Sequence, residues 1–343
     1  MNLRCAPYTL ELKHAFGIAS NTRTSTPAML LEVEHDGVIG YGEAAMPPYL
    51  GETQATAAVL FSKAAALLGG EVGRDPLQLE EILAAIDAIV PGNTAAKAAL
   101  DIALHDWIGK KLGAPWHRIW GLNPAKAPVT SFTIGIDTAD MVRQKTREAE
   151  IYKIIKVKLG RSEESDRMMI DTIREVTDKP ITIDANQGWK ERGAALRMIE
   201  WAVTRGVVFI EQPMPKEQLD DTAWLRERSP LPLIADESCQ RLADVKKCAG
   251  AFHGVNIKLM KCTGLREAHK MILLARALGL KTMLGCMTET SCAISAAAQL
   301  SPLVDWADLD GAVLIKNDCF DGATIVDGKI TLPERAGIGV VKR

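Results

Sequence analysis

The chain has 343 residues, 47% of them apolar, enough for a large core or for a barrel with an added domain without help from disulfides. The net charge is −2 and there is no long basic tract, so neither a nucleic acid nor a membrane surface is expected as a partner. The N-terminus lacks a signal-peptide apolar core, no stretch approaches the roughly 20 apolar residues of a membrane span, and the seven scattered cysteines lack metal-type spacing; together these point to free thiols in a reducing cytoplasm, with Cys5 and Cys319 structural.

Residues 1 to 45 read as a β-meander. Tyr8 to Leu12 and Met29 to Glu34 have strand character, and His35-Asp36-Gly37-Val38 is a hairpin turn with Gly where positive φ is cheap. The Ser/Thr-rich stretch from Gly17 to Thr26 reads as a loop of the kind that contacts ligands. Three helices follow, over Ala55–Leu68, Leu77–Ile89 and Thr94–Leu112. In the third, Ala95, Ala98, Ala99, Ile102, Ala103, Trp107 and Leu112 trace a buried stripe. His105 and Asp106 share this helix, where neighbouring packing can satisfy both, and His105 is not assigned to catalysis.

From about residue 128 the pattern becomes alternating strand and helix. Strands are predicted at 129–136, 153–158, 180–184, 207–211, 232–236, 254–258, 281–285 and 304–309, with helices such as Lys190–Thr204 and Leu265–Leu278 between them. Eight strands with helical crossovers predict an α/β fold, a (β/α) barrel of TIM type. The expected division is an α+β capping domain over 1–127, the barrel over 128–310, and a tail over 311–343 that returns to the capping domain. The sequence leaves homo-oligomerisation open.

Within the barrel, chemistry-bearing residues recur at strand ends. Lys156-Val157-Lys158 is followed by Asp184, Glu211, Asp236 and Lys258, at intervals of 22 to 27 residues. That is about one strand-plus-helix unit, and the C-terminal strand ends form the catalytic face of such a barrel. Any one strand-end acid could simply pair with a lysine or cap a helix; five such residues in this order favour a site. Three carboxylates without His or Cys favour one Mg²⁺, with Mn²⁺ as the alternative, over zinc. Such an ion on a substrate carboxylate stabilises the dianion left when an α-proton departs. Alternation puts Lys156 and Lys158 on one face. Two amines beside a cation repel, so at least one pKa should fall toward neutrality, as a general base requires. Lys258 reaches the substrate from the opposite side, and Lys261 reads as lying past the strand end.

The motifs Lys156-Val157-Lys158, Asp184-Ala185-Asn186-Gln187-Gly188-Trp189, Glu211-Gln212-Pro213, Asp236-Glu237-Ser238 and Asn256-Ile257-Lys258-Leu259-Met260-Lys261 together resemble the enolase superfamily, in its muconate-lactonising-enzyme-like subgroup. The resemblance covers the whole chain. It implies a modified enolase barrel capped by a lobe built from both chain ends, with Mg²⁺ on Asp184, Glu211 and Asp236. It also implies Lys158 and Lys258 as the acid/base pair, with Lys156 helping to bind the enolate.

Within the subgroup the chain is most similar to dipeptide epimerases of the L-Ala-D/L-Glu type. The feature behind this is Asp308-Leu309-Asp310, two carboxylates on one face that could hold the free α-ammonium of a dipeptide. Thr133, Cys286, Met287 and Thr288 match substrate-contacting positions, although ordinary packing is an equal reading for Cys286 and Met287. Glu-specific members carry an arginine in the first capping loop. Here that position pairs with Asn21, and Arg23 lies two residues on, either as its substitute or as a sign of a different second residue. A cycloisomerase or an o-succinylbenzoate-synthase-like lyase is the enzyme alternative, disfavoured because Asp308 and Asp310 would face anionic substrates. A non-catalytic barrel protein is the remaining alternative.

Overall fold

The computed structural model describes residues 1–343. Three antiparallel strands open the chain: β1 (Asn2–Gly17), β2 (Thr22–His35) and β3 (Val38–Ala45). The predicted loop from Gly17 to Thr26 shrinks to residues 18–21. Pairing resumes at Phe16 with Arg23 and Gly17 with Thr22, after a register shift between Glu11 and Phe16. Ser20, Thr22, Thr24 and Ser25 are exposed, and β-branched Thr suits a strand as well as a loop.

Helices α1 (Gln54–Gly69), α2 (Leu79–Asp87), α3 (Thr94–Leu112) and the short α4 (Trp116–Ile119) complete the N-terminal lobe. The α3 helix is buried on nearly its whole circumference from Ala95 to Gly109, wider than the stripe predicted, whereas Leu112, the last residue of that stripe, is exposed at the helix end. Its neighbours explain this. Gly40 and Gly42 of β3 lie so close that a Cβ on either would stand 2.0 Å from the carbonyl oxygen of Ala103 or Ala99. On the other side, Asp101 accepts from the backbone N–H groups of Leu265 and Arg266. Asp106 accepts from Tyr41 N and Ile338 N. The helix therefore ties sheet, barrel and tail together. His105 is satisfied locally, Nδ1 lying 2.8 Å from the Asp101 carbonyl oxygen.

The barrel alternates β4 (Ser131–Ile134), α5 (Ala139–Glu148), β5 (Ile154–Lys158), α6 (Glu163–Arg174), β6 (Ile181–Asp184), α7 (Arg192–Val203), β7 (Val207–Glu211), α8 (Leu219–Arg228), β8 (Leu233–Ala235), α9 (Leu242–Cys248), β9 (Gly254–Lys258), α10 (Leu265–Ala277), β10 (Lys281–Gly285), α11 (Ser291–Ala298) and β11 (Trp306–Asp308). The eight strands lie parallel in sequence order, and a parallel bridge from Thr130 to Ala307 joins the last to the first. All eight fall within the predicted spans.

The tail carries four short strands, β12 (Phe320–Asp321), β13 (Thr324–Val326), β14 (Lys329–Thr331) and β15 (Val341–Lys342). It returns to the N-terminal strand through Lys13 N to Leu314 O and Lys316 N to Glu11 O, and to α4 through Trp116 N to Gly337 O. No helix is long and apolar enough to cross a membrane.

Candidate active site

Strand register lines up the charged residues at one barrel edge. Lys158 pairs with Asp184 across β5 and β6, and Asp184 with Glu211 across β6 and β7. Gly285 pairs with both Lys258 and Asp308, and Asp236 follows directly after β8. Carboxylate oxygens of Asp184, Glu211 and Asp236, all buried, lie within 4.8 Å of one another. Lys156 Nζ sits among the acids, 2.6 Å from Glu211 Oε2, 2.7 Å from Asp308 Oδ2 and 3.3 Å from Asp184 Oδ2. Lys158 Nζ is 2.6 Å from Asp184 Oδ2, and Lys258 Nζ is 2.7 Å from Asp236 Oδ2. The two amines thus approach the carboxylate cluster through different members of it.

Polar neighbours set the orientation of the acids. Asn256 Nδ2 donates to Glu211 Oε1 at 2.6 Å. Gln212, held at φ 37°, accepts from Asp236 N and Ser238 N and donates to Met214 O, so it stitches the ends of β7 and β8 together. Asn186 and Gln187 after β6 also take positive φ, and Asn186 N donates to Asp184 Oδ1 at 3.0 Å. Non-glycine residues in this region are strained, and such strain clusters at functional sites.

The acids around the lysines dominate their surroundings. Burial pulls Lys156 and Lys258 down, but the carboxylates around them, led by Asp308 and Asp236 respectively, outweigh it and hold both ammonium groups well above their usual range. Asp308, Glu211, Asp184 and Asp236 all bear on Lys156. Burial and the Asp184 charge push Glu211 up to about 7, while Lys258 and Lys261 overcome burial and hold Asp236 well below the carboxylate range. Asp308 is likewise lowered, against burial, by Lys156, whereas burial and the Asp308 charge push Asp310 up to about 7.

These residues line a cavity of about 470 Å³ between barrel mouth and N-terminal lobe. Of the sequence candidates, Arg23, Thr133, Lys158, Asp236, Lys258, Cys286, Met287, Thr288, Asp308 and Asp310 face it. Lys156, Asp184 and Glu211 lie beneath its floor, fully buried. Asp308 is engaged by Lys156 and by the Ser131 and Thr133 hydroxyls, while Asp310 accepts from Thr133 N. Arg23 reaches the cavity and Asn21 is not among its lining residues.

Four contributors escaped the sequence reading. Lys261 does lie past the end of β9, but its buried ammonium turns back to Asp236 Oδ1 at 2.5 Å and to the carbonyl oxygens of Asp236, Asn256 and Cys239. Glu237 lines the cavity, and burial with the Asp236 charge pushes it up to about 8. Tyr49, in the Pro/Gly-rich turn before α1, closes the cavity from the lobe and donates to Met287 Sδ at 2.7 Å. Thr26 is buried against Thr288. The Asp236-Glu237 doublet and the Pro47-Pro48-Tyr49 turn were visible signals for two of these.

Six carboxylates, Asp184, Glu211, Asp236, Glu237, Asp308 and Asp310, therefore face four ammonium groups, Lys156, Lys158, Lys258 and Lys261. The hard oxygen donors and the 4.8 Å clustering of Asp184, Glu211 and Asp236 suit one divalent cation.

Comparison with known proteins bears on the family. Residues 4–121 match the mandelate racemase/muconate lactonizing enzyme N-terminal domain, and residues 137–342 match the enolase C-terminal domain-like family. The chain belongs to the enolase superfamily. Among its members, the L-Ala-D/L-Glu epimerase of Bacteroides thetaiotaomicron is 60% identical over 343 residues, covering 100% of this chain and 88% of that protein. A dipeptide epimerase from Enterococcus faecalis, complexed with Mg and L-Leu-L-Tyr, superposes with a TM-score of 0.91 at 30% identity, covering 98% of each chain. A substrate-liganded L-Ala-D/L-Glu epimerase from Bacillus subtilis superposes with a TM-score of 0.90 at 26% identity, covering 100% of this chain and 98% of that one.

Proposed function

We propose that this enolase-superfamily member is a Mg²⁺-dependent dipeptide epimerase that inverts the α-carbon of the C-terminal residue, with L-Ala-D/L-Glu as its substrate pair. In this reading residues 1–127 and 311–343 form the cap and 128–310 the catalytic barrel. The observation that carries it is the placing of Lys158 and Lys258 at different members of one carboxylate triad, with Asp308 and Asp310 on the same cavity wall. The 60% identity to the Bacteroides enzyme supports the choice of substrate.

Asp184, Glu211 and Asp236 would hold the cation, and the same donors accept Mn²⁺. When bound, the cation supplies positive charge that stabilises the deprotonated substrate. The chain's own residues do the rest. Asp310, which accepts only from Thr133, and Asp308 receive the substrate α-ammonium. Thr133, Cys286, Met287 and Thr288 wall the cavity around the dipeptide. Lys156 donates hydrogen bonds to the developing negative charge. Lys158 and Lys258 each serve one face of the α-carbon, so a proton leaves to one lysine and returns from the other, and the centre inverts. Arg23, half-buried and paired with no acid in the protein, takes the side-chain carboxylate of Glu.

The test is the α-proton of L-Ala-L-Glu in D₂O, followed by NMR, with the epimers separated by chiral chromatography. Deuterium should enter the Glu α-position, and L-Ala-D-Glu should appear, only with a divalent cation present. Full turnover after exhaustive chelation, or none on any dipeptide, would overturn the reading.

A further inference from the structure

Arg23 and Thr26 lie three apart on β2, where regular alternation would send their side chains to opposite faces. Opposite them β1 carries the register shift between Glu11 and Phe16, and such irregularities re-aim side chains. The Arg23 guanidinium accordingly folds over the Phe16 ring, 5.3 Å from its centroid, and Nε donates to Thr26 Oγ1 at 3.1 Å. Thr26, with no exposed surface, shares a second hydrogen bond of 2.8 Å with the hydroxyl of Thr288, which is 2% exposed. Thr288 belongs to the barrel, in the loop after β10, next to Met287, which receives the Tyr49 hydroxyl.

This geometry points to a positioning relay: we infer that Thr26 and Thr288 moor the Arg23 guanidinium to the barrel and so set the preference for an acidic second residue. The inference rests on the epimerase reading above and deepens it. A hydroxyl oxygen can accept from Arg23 and still bond to Thr288, which no apolar side chain of the same shape can do. Arg has five N–H donors in a fixed fork, and the relay uses the one on Nε. Both terminal nitrogens remain for a carboxylate, in the paired arrangement that gives Arg its geometric selectivity. Without the anchor the guanidinium must be ordered by the substrate itself, which weakens binding rather than the proton transfer. The relay also gives Thr288 a part in substrate choice that runs through its bond to Thr26.

The measurement compares L-Ala-L-Glu with L-Ala-L-Met, similar in length and uncharged at the end, by α-proton exchange in the metal-loaded enzyme. Thr26→Val should raise KM for L-Ala-L-Glu roughly tenfold with kcat changed less than about twofold, and the loss for L-Ala-L-Met should be at least about fivefold smaller. Thr26→Ser, which keeps the hydroxyl, should restore the wild-type ratio. Thr288→Val breaks the relay from the other side and should give the same selective rise, which keeps the test open if Thr26→Val fails to fold. Equal losses on both substrates, or no loss on either, would overturn the relay. Arg23→Met separates the two claims. If it selectively damages L-Ala-L-Glu while Thr26→Val does not, the relay falls and the epimerase reading stands. If it damages both substrates equally, Arg23 is not the selector, and both the relay and the choice of Glu fall.

Discussion

Asp308 and Asp310 are two carboxylates on one wall with different roles. Asp308 is already neutralised by Lys156 at 2.7 Å and two hydroxyls, while Asp310 has a backbone N–H and a charge that burial and Asp308 oppose. A substrate ammonium therefore gains most at Asp310. Truncating one partner of a buried charged contact costs about 2–5 kcal/mol, and each 1.4 kcal/mol is tenfold. Asp310→Asn should lower kcat/KM for L-Ala-L-Glu at least roughly tenfold, and N-acetylating the dipeptide should do comparable damage. An enzyme indifferent to N-acetylation would refute the ammonium site. The lysines make a separate prediction. Lys258→Ala should stop epimerisation while Lys158 still exchanges the α-proton of one epimer, seen as deuterium uptake without inversion. Interconversion at the wild-type rate would remove Lys258 from the mechanism.

Elements hold these residues in place through close approaches as much as through apolar burial. The β3 strand can press against α3 only because Gly40 and Gly42 lack side chains, and α3 in turn carries Asp101 to the start of α10 and Asp106 to the tail. A methyl group at Gly42 would meet a backbone oxygen at 2.0 Å, which no rotamer change can relieve. Overpacking of this kind typically destabilises by about 1–3 kcal/mol. Gly42→Ala should lower the melting temperature by several degrees, while Gly37→Ala, in the open turn, tests the separate effect of φ +71°. An unchanged melting temperature for Gly42→Ala would show that the sheet and α3 can separate freely. The strand periods and the helix limits of this lobe were readable beforehand, since amphipathic spacing is local. The full burial of α3 was not, because it depends on what the tail and barrel bring to its other face.

At the scale of the whole molecule, the lobe and the barrel meet over buried acids. Glu43 of β3 accepts from Thr290 N and Oγ1 and from Ala293 N, capping α11 across the junction. No ammonium faces it. The titratable groups around it are Asp318, Glu289, Cys292, Cys319 and Tyr8, and burial is the chief reason its carboxyl is pushed up to about 7. A pKa raised in the folded state means that the native protein holds the proton more tightly. The corresponding stability is present below the ordinary value of 4.5 and is lost as pH rises through about 7. The full effect is on the order of 3 kcal/mol. The melting temperature should therefore fall from pH 5 to pH 8, and Glu43→Gln, neutral throughout, should flatten that fall. Glu289, pushed up to about 8 by burial and by Glu43, leaves part of the slope in place. Identical slopes for wild type and variant would show that Glu43 does not titrate in this range.

The sequence by itself determined the eight strands, the acids and lysines at their ends, and the family. Strand alternation and the strand-plus-helix interval are properties of neighbouring residues, so Lys156, Lys158, Asp184, Glu211, Asp236 and Lys258 could be assigned to one barrel edge from spacing alone. Only the tertiary structure decided what those groups feel. The closed barrel brings carboxylates from other strands to Lys156 and Lys258, and these favour the charged form of each against burial. Lys261 turns back to Asp236 although its place in the chain lies beyond the strand. The Thr26–Thr288 pair and the Glu43–Thr290 pair join residues 262 and 247 positions apart. No local period reports such contacts. They exist because the N-terminal lobe docks over the barrel mouth, and docking is set by the summed packing of both lobes.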